Sequence, residues 1–264
     1  MNILVCVKQV PDTTAVKIDP VTNTLIRAGV PSILNPFDGF ALEMALQMKD
    51  KTGGTVTVMS MGPAQAEDVL RESLSVGADE AYLVSGREFG GSDTLATSYI
   101  LSCAVKAVEE KRGEKFDVIY CGKQAIDGDT AQVGPQIAEK LHLPQITYAA
   151  EIRAEEGAVV VKRLLEDGYM LLRAQTPCLI TCLKELNQPR YMSISGIFEC
   201  YDKPLDIFDY NTLKDDPLIE TDTIGLQGSP TNVYKSFSPP VKGAGVMLED
   251  AAKLVGLLNE KHLI

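Results

Sequence analysis

The 264-residue chain, 45% hydrophobic, has room for one large domain or a domain with an appended lobe. Its net charge of −11 argues against nucleic acid as a partner, because a phosphate backbone needs a basic surface. No apolar run approaches the ~20 residues of a membrane-spanning helix, and the opening MNILVCVKQV lacks a basic leader and a small-residue cleavage site, so a cytoplasmic protein without membrane insertion is expected.

The first half alternates short apolar runs with helical patterns. The runs at 3–7, 56–59, 81–84 and 118–121 are rich in β-branched residues and apolar nearly throughout. Strands covered on both faces read this way. Between them, Phe37, Phe40, Ala41, Met44, Ala45 and Met48 mark one helix face. Ala66, Val69 and Leu70 mark a second helix, Ala96, Ile100, Cys103 and Ala107 a third, and Val133, Ile137 and Leu141 a fourth. This spacing predicts right-handed crossovers and a mainly parallel, doubly wound α/β sheet. Ligands of such sheets bind beyond the carboxyl ends of the strands.

After Pro144 the pattern changes. Segments 146–152 and 158–165 read as strands around Glu155-Glu156-Gly157, followed by strands at 169–173 and 178–183. They predict a hairpin at a sheet edge and a return to the core. From Asn187 to about Pro240 the chain is rich in Pro, Asp, Ser and Thr, with little periodicity. A loop that long is unusual inside one compact domain and reads as an arm laid over another protein. An amphipathic helix is expected at 248–258, with Ala251, Ala252 and Val255 on its apolar side. The expected division is a nucleotide-binding domain at 1–200 and a partner-clasping arm with its helix at 201–264.

The six cysteines read mostly as buried free thiols, and Cys178 and Cys182 lack the second Cys or His pair of a zinc site. The only histidines, His142 and His262, lie near expected helix ends, so hydrolytic catalysis has little support.

The segment with the most chemistry leaves a strand and opens a helix: Gly122, Lys123, Gln124, Ala125, Ile126, Asp127, Gly128, Asp129, Thr130, Ala131, Gln132 and Val133, ahead of Gly134-Pro135. Its glycines permit tight turns and close backbone approach. A helix start offers free N–H groups to a phosphate, and Thr130 and Gln132 add side-chain donors. Asp127 and Asp129 suit a ribose or base, or a helix cap, better than a phosphate. On these grounds alone the segment reads equally as an anion site or as a capped loop. Four more segments lie at strand carboxyl ends: Ser60-Met61-Gly62-Pro63, Ser92 to Thr97 with hydroxyls at Thr94 and Thr97, Asn35-Pro36-Phe37-Asp38, and Lys8 to Asp12. Their common end of the sheet favours one shared nucleotide site.

GKQAIDGDTAQVG, NPFDGFALE, SMGPAQA and LNQPRY resemble the β subunit of electron-transfer flavoproteins, and the resemblance covers nearly the whole chain. A signature runs from Val161 through Arg163, Glu166, Asp167 and Gly168 to Pro177-Cys178-Leu179-Ile180-Thr181, with Met170 where an acidic residue or Gln is usual. The resemblance implies an adenine-nucleotide α-hydrolase-like fold and a flavin-bearing α-subunit partner. It places the nucleotide at Cys6 (through the backbone), Asn35 to Asp38, Met61 and Gly122 to Val133, with Thr94 and Thr97 nearby. It implies AMP in respiratory members and a second FAD in bifurcating ones. The run DGDTAQVGP is similar to the bifurcating branch, because Gly128 stands where respiratory members tend to carry an acid. The expected activity is then oxidation of NADH at FAD, with electrons split between an acyl-CoA dehydrogenase-type flavoenzyme and a ferredoxin or flavodoxin. The alternatives are a non-bifurcating carrier with structural AMP and a homodimeric, universal-stress-type nucleotide sensor. Tyr191 and Ile194 match the family's recognition loop, where Ile194 reads as an exposed partner anchor or as a buried loop residue.

Overall fold

In a computed structural model, the structure describes residues 1–12, 31–231, 234, 242–243 and 245–264. The strands are β1 (Asn2–Cys6), β2 (Gln9–Pro11), β3 (Ser32–Leu34), β4 (Thr55–Met61), β5 (Glu80–Val84), β6 (Val118–Gly122), β7 (Gln145–Glu155), β8 (Ala158–Leu164), β9 (Tyr169–Gln175), β10 (Cys178–Cys182) and β11 (Leu205–Phe208). The α-helices are α1 (Pro36–Thr52), α2 (Glu67–Val76), α3 (Thr94–Arg112), α4 (Val133–Lys140), α5 (Ile194–Glu199), α6 (Tyr210–Leu213) and α7 (Ala251–Glu260).

Nine strands form one sheet in the order β11-β5-β4-β1-β6-β10-β7-β8-β9, and β2 and β3 pair apart from it. The first seven strands in that order run parallel; β8 and β9 turn back antiparallel at one edge. This is the expected α/β fold with its edge hairpin. The parallel strands are apolar because helices cover both faces. Ile3 and Val5 join α1 and α2 residues in one core cluster, while Leu4 joins α3 and α4 residues in the other. Consecutive side chains of a strand point to opposite faces, so one run serves two layers.

The sheet extends past the boundary expected at residue 200. β11 pairs with β5, and Ser85 N–H donates to Phe208 O over 2.9 Å. Phe208 packs edge-on to Tyr82, with ring centroids 5.2 Å apart. Four residues with one inward aromatic carry too little periodicity to stand out in a polar stretch. The chain forms two units, the first holding residues 1–16 and 27–232 and the second 17–26 and 233–264. Part of the expected arm, 232–233 and 235–241, lies outside the described residues. In the second unit, α7 begins three residues later than expected and buries none of its side chains.

The β1–β6 crevice as candidate nucleotide site

The chain moves from β1 to β4 and β5 on one side, then returns to β6 on the other. The crevice of a doubly wound sheet opens at this reversal, between the carboxyl ends of β1 and β6. Cys6 and Cys121 are register partners there, and β4 ends beside them, with Val7 N–H donating to Met59 O over 2.8 Å. Around this opening stand Cys6, Met61, the start of α1 and the turn between β6 and α4. Thr94 closes one side, its hydroxyl donating to Gln132 Oε1 over 2.9 Å. Thr97 lies one turn further along α3 and is half-buried.

The start of α1 braces the turn. Asn35 is fully buried; its Nδ2 donates to Gln124 O over 2.9 Å, and its Oδ1 accepts from Ile126 N–H over 3.2 Å. Asp38 accepts from Lys8 N–H (2.8 Å) on one oxygen and from Gly122 N–H (3.1 Å) on the other. One carboxylate therefore ties the ends of β1 and β6 together. Burial pushes that carboxyl up to about 7, while Asn35 and the two N–H donors pull it down. The side chains of Asn35 and Asp38 are thus committed to the protein's own backbone and shape the site from beneath. Pro36 and Phe37 retain exposed surface at the helix start.

Gly122 is required where it stands. A Cβ there would collide with Asp38 Oδ1 and lie 2.6 Å from the Phe37 carbonyl carbon. Gly134 lets α4 approach the sheet, for a Cβ would come within 3.0 Å of Thr181 Cγ2.

Between these points the turn rises into solvent, exposing Ile126, Gly128, Asp129, Thr130 and Gln132. Asp129 and Ala131 both take φ of 53°, the left-handed region, at about 1 kcal/mol or more each for residues with a Cβ. Such strain gathers at ligand clamps. Gln124 Nε2 supports the bend by donating to Asp129 Oδ1 over 2.6 Å.

Two features lay outside the expected set. Lys8 Nζ pairs with Asp127 Oδ1 at 2.7 Å, and Asp127 is only 11% exposed. The pair removes a net negative charge from beneath the turn. Only Lys8's place after β1 hinted at this. The second feature adjoins Lys123, whose ammonium lies 5.6 Å from the Tyr148 ring centroid, with the Arg163 guanidinium 5.9 Å from the same ring. Among the described residues neither cation has a carboxylate partner, and Arg163 Nε is buried without a hydrogen-bond partner. Tyr148 sits at φ 61°, its N–H donating to Thr181 Oγ1 over 3.0 Å. A bulge places it there, and strand alternation does not reveal a bulge.

The crevice thus offers strained, open backbone and a neutralised aspartate, with Lys123 directly after β6 at its edge, in a chain of charge −11. An anionic nucleotide fits this donor set. The electron transfer flavoprotein domain matches residues 22–202, more than half of the chain. The chain belongs to the electron-transfer flavoprotein family, as a β subunit. It is 57% identical to the acryloyl-CoA reductase electron transfer subunit gamma of Anaerotignum propionicum, aligned over the whole of both chains. It is 53% identical to the caffeyl-CoA reductase-Etf complex subunit CarD of Acetobacterium woodii, again over both full lengths. The electron transfer flavoprotein subunit beta of Thermoanaerobacterium thermosaccharolyticum is 52% identical over the same full coverage.

The expected partner segment of this β subunit is displayed to solvent. Tyr191 is 97% exposed and Ile194, the first residue of α5, 80%. Ile194 is therefore not a buried loop residue. Five of the six cysteines are buried, and Cys6 is partly so. Among the described residues no helix is long and apolar enough to cross a membrane.

Proposed function

We propose that this β subunit binds FAD in the β1–β6 crevice and, with a flavin-bearing α subunit, oxidises NADH and bifurcates the electrons. FAD held there would accept a hydride from NADH and send its electrons separately to a ferredoxin or flavodoxin and, through the α-subunit flavin, to an acyl-CoA dehydrogenase-type flavoenzyme. The observation that carries the choice of FAD is the charge of the turn. Gly128 adds no charge beside Asp129, Lys8 neutralises Asp127, and Lys123 follows β6 directly at the edge of the opening. A turn in which one acid is neutralised and Gly128 adds none suits the pyrophosphate of a dinucleotide.

In this reading the chain's own residues do four things. The free N–H groups at the start of α4 and the Thr130 and Gln132 side chains hold phosphate. The Cys6 backbone meets the adenine edge. Asn35 and Asp38 fix the turn from below. Met61, Thr94 and Thr97 line the remaining walls. The names of two relatives, electron-transfer subunits of acryloyl-CoA and caffeyl-CoA reductases, support an acyl-CoA-oxidoreductase partner, and the exposed Tyr191 and Ile194 supply the contact surface. The test is to purify the αβ heterodimer, release its nucleotides and count them. Two FAD per dimer is expected; one FAD and one AMP would overturn the reading in favour of a non-bifurcating carrier.

A further inference from the structure

The exposed apolar run at 191–201 is bracketed by two arginines. At its start, Arg190 Nε donates to Glu43 Oε2 over 2.8 Å and its backbone N–H to the same oxygen over 3.0 Å. Arg190 Nη2 reaches Glu43 Oε1 (3.2 Å) and Asp50 Oδ2 (2.8 Å). Both acids are on α1, and Asn187 Nδ2 adds a 3.0 Å bond to Phe40 O of the same helix. At the far end, Arg71 of α2 donates to the carbonyls of Cys200 (2.8 Å) and Lys203 (3.3 Å) and stands 5.6 Å from the Tyr201 ring centroid. Midway, Gly196 backs directly onto Ser75 O, leaving no room for a Cβ. The fastened backbone still leaves Tyr191, Ile194, Phe198 and Tyr201 between 72% and 97% exposed.

We propose that Arg190 is a positioning residue for partner docking: with Arg71 at the other end, it holds the 191–201 surface in the shape that an acyl-CoA dehydrogenase-type flavoenzyme binds. The inference rests on the docking reading of Tyr191 and Ile194 given above. A loose segment would have to be ordered at each encounter, at a cost of affinity; a fastened one has already met that cost in folding. The planar guanidinium suits the task because its fork engages both oxygens of Glu43 at once. Glu43, 6% exposed, in turn depends on it, since a buried carboxylate without its partner is destabilising. The helix that carries this clamp also carries Asp38, with Asn35 as its N-cap, under the nucleotide turn, so one rigid element seats both functional segments.

The test uses the heterodimer with its α subunit, reduced by dithionite and assayed for reduction of an acyl-CoA dehydrogenase. Arg190→Gln should raise KM for the dehydrogenase about tenfold at unchanged kcat and unchanged nucleotide content. Arg190→Lys, which keeps the charge but loses the fork, should fall between. Amide exchange at 191–200 should accelerate, with β1, β4 and β6 unchanged. An unaltered KM, with or without faster exchange, overturns the proposal. If Arg190→Gln does not fold, Asp50→Asn removes only the exposed half of the clamp and should raise KM about twofold; no rise there is equally decisive. Ile194→Asp separates the two levels. If it leaves KM unchanged, the docking reading itself fails. If it raises KM while the Arg190 and Asp50 variants do not, only the positioning role fails.

Discussion

Gly122 and Gly128 lie in one turn and have opposite requirements. Gly122 has no free space, because a Cβ there meets Asp38 and the backbone of Phe37. Gly122→Ala should therefore cost about 1–3 kcal/mol in unfolding free energy and empty the nucleotide site. Gly128 has nothing within 4 Å of a built Cβ, so its substitution tests charge without sterics. Gly128→Asp should leave stability within about 0.5 kcal/mol of the parent. A carboxylate about 6 Å from a phosphate, at an effective dielectric constant of about 40, costs about 1.4 kcal/mol, or tenfold in affinity. Titrating FAD into the apoprotein of each variant checks both outcomes. The turn and its two glycines were legible in the sequence as glycines between a strand and a helix. Their different duties were not, because what crowds Gly122 comes from α1, with Asp38 84 residues earlier, while Gly128 meets nothing.

Among the elements, α1 does the most to couple fold and site, and its first turn is where pH should act. The Asp38 carboxyl is raised from 3.8 to about 7, chiefly by burial. The folded protein then holds this proton more tightly than the unfolded chain. Between about pH 4 and 7 the native state binds more protons, so the Asp38 contribution to stability is greatest below that window and declines as pH rises through it. Above about pH 7 it levels off. Measured as the difference in unfolding free energy between the parent and Asp38→Asn, it should fall by on the order of a few kcal/mol from pH 4 to 7. A difference that is flat, or that grows with pH, would contradict this. The helical face of α1 was readable from the spacing of Ala41, Met44, Ala45 and Met48, all of them buried. The fates of Asn35 and Asp38 were not, since an N-terminal Asn-Pro-Phe-Asp serves equally as a ligand contact or as a brace. The β2–β3 pair and β11 escaped notice for another reason: three or four residues give too few alternations to distinguish a strand from a loop.

For the whole molecule, the question is where the folded domain ends. Residues 201–231 run with the first unit, through β11 on the sheet edge and Leu213, Ile219 and Ile224 in the core. The second unit ends in α7, whose Leu254 and Val255 remain about half exposed. A chain truncated before residue 245 should therefore unfold with the same midpoint as the full subunit, yet bind the α subunit at least tenfold more weakly, as isothermal titration would show. Unchanged affinity would remove α7 from the interface; a lowered midpoint would mean that it supports the domain.

The sequence by itself determined the alternating α/β architecture, the edge hairpin and the family. Each of these is written in short-range pattern: side-chain period, strand-to-helix turns and glycine placement. The tertiary structure alone decided which polar groups of the turn face solvent and which are spent inside. It also decided that Lys8 cancels Asp127, that Tyr148 gathers two cations without carboxylate partners, and that Arg190 binds a segment of the surface to α1. Those pairings join residues from 15 to 147 positions apart. Hydrogen bonds and ion pairs depend on distances of about 3 Å, which only the packed sheet and its helices can set.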